Sequence, residues 1–375
     1  MGRRPLSLFD KTSETIFRGI QSWHRLVEAS RDLRLERNEL IQLAVIGSKQ
    51  SLSELLRSSR APSGVSHLGS GQDVELFEYR RSYGRERAHR VSGRFAVART
   101  QSDHIYLVLF VNRHRFWQLG LSPLIDSMYP KVLRPFLTQS ELHQLLKDLQ
   151  KAIQPEALRV LEFSSKKRLP ALARKRFQSV REWTDVDLNV VFREAKERNV
   201  WFSSVAFDLV SESNGQVEPT GVRCRVSKHA YFACNGRFEV FERTLVRQLI
   251  QISSARLEFF SNRERSSTRD HAPRPLSISY ELDIFKSSDQ TRKLVEAMQR
   301  LKHGTCTVLH SNPYMHLSVV DNIDFSSADM WILSQNQILI VPQLKASEAA
   351  LKRIVNHVFE QFREGSISDF QTQQS

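Results

Sequence analysis

The sequence predicts an α+β protein: a helical N-terminal segment followed by mostly antiparallel sheets, each covered by amphipathic helices. Three observations lead there. Alternating apolar and polar runs stand close together, as in VELFEYRR (Val74–Arg81) and GRFAVART (Gly93–Thr100). Asn214-Gly215 and Asn235-Gly236 are hairpin-turn dipeptides. Finally, strand-like runs followed by one amphipathic helix recur near 74–152, 200–260 and 305–363, a pattern that suggests a structural repeat without residue identity.

Taken in order, residues 1–60 read as helical. Ser13 caps a series of Ile16, Phe17, Ile20, Trp23, Leu26 and Val27. A second apolar series, Leu33 to Ile46 closed by Gly47, is assigned to a helix, and a short third helix spans Ser51 to Arg57. The Ser-, Gly- and Pro-rich stretch Arg57–Gln72 is a linker. Residues 73–155 form the next α+β domain. Its run HIYLVLFV (His104–Val111) is continuously apolar, as a central strand is. Thr138–Glu141, TQSE, is a capping box opening a helix with Leu142, Leu145, Leu146, Leu149 and Ile153 on one face. Residues 156–262 hold an antiparallel meander over 200–238, in which Cys224 and Cys234 meet across adjacent strands. Residues 275–365 form a C-terminal α+β domain that ends in a helix capped by Ser347.

Fifty-five Lys and Arg against forty-one Asp and Glu give a net charge of +14, which favours a polyanionic partner. Two clusters carry the excess. Arg85, Arg87 and Arg90 occupy a hairpin tip between Arg80 and Arg99, with Tyr79 and Tyr83 interleaved. Lys166, Lys167, Arg168, Arg174, Lys175 and Arg176 form the second, with Phe177 beside them. Arginine's planar fork suits phosphate, and its face stacks on bases. The expected function is nucleic-acid binding, DNA or RNA, within a larger nucleic-acid-processing assembly containing other protein subunits. Convergence of the two clusters on one groove is the arrangement that would strengthen this expectation.

Two alternatives stand beside it. The first is a metal-dependent nuclease, with Glu281 and Asp283 on one face of a strand and Lys286 near them, or using the His310–Asp324 region. The second is a non-enzymatic interaction protein whose basic face meets an acidic partner or an anionic membrane. The chain carries no GxxxxGK[ST], GxGxxG, GxSxG or HExxH motif, so no cofactor, metal or catalytic function is assigned. Three cysteines without a CxxC pair disfavour both a disulfide framework and a zinc ribbon. The absence of long apolar runs argues against a transmembrane segment, and the polar N-terminal residues point to the cytoplasm.

The segment LHSNPYMHLSVVDNIDF (Leu309–Phe325) offers two histidines and two aspartates. Pairing Cys306 with Val319, Val308 with Leu317 and His310 with Met315 builds one apolar face and separates the histidines. The aspartates then belong to a turn, where Asp and Asn bond their own backbone.

Overall fold

The computed structural model describes residues 22–31, 35, 39–58, 62–85, 89–168, 177–183, 188–197, 201–213, 216–266, 272–311 and 314–370. The chain divides into two compact units, Met1–Ser254 and Ala255–Ser375.

The first unit opens with helix α1 (Trp23–Ala29), strand β1 (Leu40–Ser48), α2 (Leu52–Arg57), β2 (Val65–Ser70), β3 (Val74–Tyr83), β4 (His89–Arg99) and β5 (Ile105–Asn112). A continuous helix follows: α3 (His114–Phe116), a π-helical turn (Trp117–Leu121) and α4 (Ser122–Ser127). Next come β6 (Val132–Leu133), α5 (Gln139–Ala152), β7 (Ala157–Arg168), β8 (Phe177–Trp183), α6 (Leu188–Glu197), β9 (Trp201–Ser213), β10 (Gln216–Ser227) and β11 (Tyr231–Cys234). A second π-turned helix closes the unit: α7 (Phe238–Phe241), the π turn Glu242–Val246, and α8 (Arg247–Ser261), which crosses the division between the units.

Eleven strands among the described residues form one antiparallel sheet, ordered β2-β3-β4-β5-β1-β11-β10-β9-β7-β8, with β6 on β1. Strands from the expected 73–155 and 156–262 segments thus share this sheet, and β1 is the seam between them, pairing with β5 and β11. Residues 40–48 were expected in a helix and are instead this central strand. Helices cover both faces at the seam. Ala44, Ile46, Phe110 and Tyr231 pack with Phe116, Trp117 and Leu124 on one face. On the other, Phe232 meets Phe241 at 5.2 Å, and Phe238 lies 6.2 Å from Trp23. A strand buried on both faces is apolar at every position and loses its period of two, which leaves it indistinguishable from a buried helix by pattern. Ser22 caps α1, and the cap expected at Ser13 lies in residues 1–21, outside the described residues.

The capping box forms as read, with Thr138 and Glu141 each bonded to the other's backbone amide. Cys224 and Cys234 are direct partners across β10 and β11. Asn235 N–H donates to Arg223 O at 3.1 Å, so the neighbouring 224/234 pair is non-hydrogen-bonded, the closer of the two antiparallel geometries. Both thiols are buried, which pushes the Cys234 pKa up to about 12 and raises that of Cys224 well above its ordinary value.

The second unit contains β12 (Leu276–Ser279), a 3₁₀ turn (Ile284–Lys286), α9 (Ser288–Met298), β13 (Gly304–His310), β14 (His316–Asp321), β15 (Ser327–Ser334), β16 (Gln337–Pro342), α10 (Glu348–Gln361) and β17 (Ser366–Asp369). The six strands run in the order β13-β14-β15-β16-β12-β17, all antiparallel. Burial alternates cleanly along β14 and β16, as in a sheet with one covered face. Ser347 caps α10 by accepting from the Ala350 amide at 3.0 Å.

Candidate nucleic-acid interface

The described residues of the two basic clusters lie at opposite ends of the first sheet. The register places Asn112 opposite Leu40, at the starting end of β1, and β4 reaches that same end at His89. The β3–β4 tip therefore projects there. β7 pairs Ala157 with Val210 and Lys166 with Trp201, which puts Lys166, Lys167 and Arg168 at the other end. Six strand steps also separate β4 from β7, on the order of 30 Å at the usual spacing. The described residues of the two clusters therefore do not share one groove. Arg87, Arg174, Lys175 and Arg176 lie outside the described residues.

At the β3–β4 end the structure adds residues that the sequence reading missed. β5 ends at Asn112, and the chain turns at once into α3, so Arg115 arrives beside the hairpin tip. Gly93 permits this approach: a Cβ there would stand 2.9 Å from the Phe116 ring and 2.7 Å from Asn112 Nδ2. Arg115 donates to Tyr83 Oη at 2.5 Å, and its guanidinium carbon lies 5.9 Å from the centre of the Tyr83 ring. Tyr83 packs on His89 at 5.5 Å. Arg81 donates to Leu119 O at 2.8 Å, tying the hairpin to the π turn. Arg85, Arg90, Arg113 and Arg115 are exposed; Arg85 and Arg90 flank the aromatic pair in the hairpin, and Arg115 touches it. Arg80 is occupied by Glu78 at 2.7 Å.

The floor beneath is rigid and polar at its centre. Gln42, fully buried on β1, donates to Asn112 O at 2.5 Å and accepts from Tyr231 Oη at 2.7 Å. His114 Nδ1 lies 3.1 Å from that same hydroxyl. Burial raises the Tyr231 pKa, so the phenol stays a neutral donor. Trp117 stacks on Tyr231 at 4.8 Å, and the Arg134 guanidinium lies 5.1 Å above Trp117. The paired Gln42, Tyr231 and His114 side chains fix the π-turned helix, and with it Arg113 and Arg115, against the sheet.

The nuclease candidates take a different arrangement from the one expected. β12 stops at Ser279, so Glu281 and Asp283 lie in a bend and at the start of the 3₁₀ turn, not on one face of a strand. Both are exposed, and Asp283 pairs with Lys286 at 2.8 Å. A short strand leaves no shared face on which the carboxylates converge.

The Leu309–Phe325 segment is the hairpin that its apolar pattern predicts. Cys306 faces Val319 and Val308 faces Leu317. A bulge then shifts the register so that His310 opposes His316, not Met315. His316 stacks on Trp331 at 3.6 Å, and its Nε2 lies 3.3 Å from Asp329. Asp321 is fully buried, pairs with Arg353 at 2.5 Å and accepts from the Ile323 amide at 2.8 Å. Asp324 accepts from the Ser326 amide at 2.9 Å and from the Ser347 hydroxyl at the start of α10. Both aspartates thus hold the turn and the helix cap. Among the described residues no group of three or more His, Cys, Asp or Glu side chains is placed to hold a metal ion, and no helix is long and apolar enough to cross a membrane.

The chain matches no known family model, and comparison with curated proteins gives no match.

Proposed function

We propose that the protein binds nucleic acid through the end of the first sheet formed by the β3–β4 tip and α3. In this reading Arg85, Arg90, Arg113 and Arg115 neutralise phosphates, and the Tyr83–His89 pair offers ring surface to unpaired bases. The supporting observation is that Arg115, distant in sequence from the hairpin, bonds Tyr83 beside the Tyr83–His89 pair, with exposed Arg113 two residues before it. Arg87 extends the same cluster in sequence. Lys166, Lys167 and Arg168 are a second, separate phosphate contact, with Arg174, Lys175 and Arg176 following them in the chain. Membership of a larger nucleic-acid-processing assembly remains part of this proposal, and a location in the cytoplasm fits it.

The test is the salt dependence of binding to labelled single-stranded DNA, single-stranded RNA and duplex, read by fluorescence anisotropy. Affinity is expected to fall by ~0.7 log units per log unit of salt for each single-strand phosphate contact. Replacing Arg85, Arg90, Arg113 and Arg115 by Ala flattens that slope by up to roughly four contacts, whereas replacing Lys166, Lys167 and Arg168 leaves most of it. Binding to none of the three, or binding insensitive to salt, overturns the proposal.

A further inference from the structure

The second sheet ends abruptly at β13. This strand is the outer edge, and no strand among the described residues pairs with its far side. The other edge, β17, is four residues long and carries Asp369, both of which discourage further pairing. β13 is seven residues long and lacks proline, and its last four residues, including Val308 and Leu309, are exposed.

The hydrogen-bond phase shows which groups the open edge presents. Asn322 N–H donates to His303 O at 2.9 Å, so residue 303 pairs inward with β14. The alternation of an antiparallel ladder continues this at 305 and 307 and turns the amide and carbonyl of Cys306 and Val308 outward. These groups form a ready template for another strand.

The side chains match the backbone. Cys306 and Val308 belong to the face that is covered by helices elsewhere, opposite Val319 and Leu317. Those partners are 0% exposed, whereas Val308 is 38% exposed. The helical layer stops short of β13 and leaves a groove of about 840 Å³ beside α9. Phe285, Val295, Val308, Met315, Ile332 and Leu333 give it an apolar lining. The inward side chains of one further strand would occupy this space.

Charge selects the occupant. From Ser288 to His310 the cations are Arg292, Lys293, Arg300 and Lys302, against Asp289 and Glu296. Asp289 already bridges Arg292 and Lys293, and Glu296 holds Arg300. Arg292 lines the groove and shares the one Asp289 carboxylate with Lys293, so this wall keeps a positive surplus. A second copy joined through β13 would bring two such walls together and repel. We propose that β13 accepts an extended segment of a partner protein as an added strand, apolar at alternate positions and acidic between them. This surface lies in the second unit and does not depend on the nucleic-acid reading.

The probe is a synthetic peptide of about ten residues alternating valine with glutamate and threonine, a length typical of strands. Its controls are a scramble that breaks the alternation, a version with lysine for glutamate, and a version N-methylated on alternate amides. Anisotropy with the full chain should favour the acidic alternating peptide by about tenfold or more over each control. Hydrogen exchange should show new protection at Cys306 and Val308. Val308→Pro removes an outward donor without touching the β14 ladder and should weaken binding about tenfold. Val295→Glu, on the helix wall, should weaken it as well, and this keeps the test decisive if the proline variant melts early. Equal binding of the scramble, no binding up to ~1 mM peptide, or protection elsewhere overturns the proposal. So does a dimer in sedimentation velocity that Val308→Pro abolishes, since the occupant would then be a second copy.

Discussion

The two sheets bury apolar surface in different ways. At its seam the first is covered by helices on both faces, and β1 is buried at every position from Ile41 to Ser48. The second is covered on one face, and β16 alternates between buried and half-buried residues. A doubly covered strand gains more burial per residue but tolerates polarity nowhere. A singly covered strand keeps one face free, for solvent or for a partner.

Paired substitutions break this comparison most sharply. Ala44→Asn and Val45→Asn point to opposite faces of β1, and each is expected to destabilise the first unit by ~3 kcal/mol or more, because each buries an amide without partners. In β16, Ile340→Asn should do the same to the second unit, whereas Val341→Asn, on the half-buried face, should cost ~1 kcal/mol. Urea midpoints followed by hydrogen exchange separate the two units. Equal effects at 340 and 341 would remove the distinction.

A somewhat smaller effect tests how the second sheet holds its turn. Arg353→Ala leaves the fully buried Asp321 carboxylate without its guanidinium, an expected loss of about 3 kcal/mol. Adding Asp321→Asn to that variant should recover part of it, since the charge is gone. Chemical denaturation of the single and double variants checks this.

The smallest effect is a pH dependence confined to the second unit. His357 on α10 donates to Ala297 O at 2.8 Å, and burial beside α9 lowers its pKa. The unfolded chain therefore takes up this proton first as the pH falls below ~6.5. Stability is fully present above that value and declines below it, until folded His357 titrates in turn. His357→Gln should flatten this part of the Tm–pH profile, and an unchanged profile would remove His357 from the account.

What was legible in the sequence follows the same division. The hairpin of β13 and β14 was readable because one covered face imposes a period of two, which fixed Val308 against Leu317. The capping box at Thr138 and the pairing of Cys224 with Cys234 were readable because each depends on neighbours a few residues away or on one turn. β1 was not, because burial on both faces erased its period. The bulge that sets His310 against His316 left no composition signal. Arg115 is not legible as a neighbour of the hairpin because its meeting with Tyr83 depends on the turn after Asn112 and on the missing side chain at Gly93. Glu281 and Asp283 were read as a strand face because the pattern of β12 gave no sign that pairing stops at Ser279.

The three cysteines divide along the same line, and this gives the molecule two built-in clocks. A thiol reagent reaches Cys224 and Cys234 only when β10 and β11 part, because burial both hides the thiols and raises their pKa values while the strands stay paired. Cys306 is only half-buried on an open edge and reacts as that edge breathes. One reagent in one experiment thus times the opening of each sheet separately, without a label added to either.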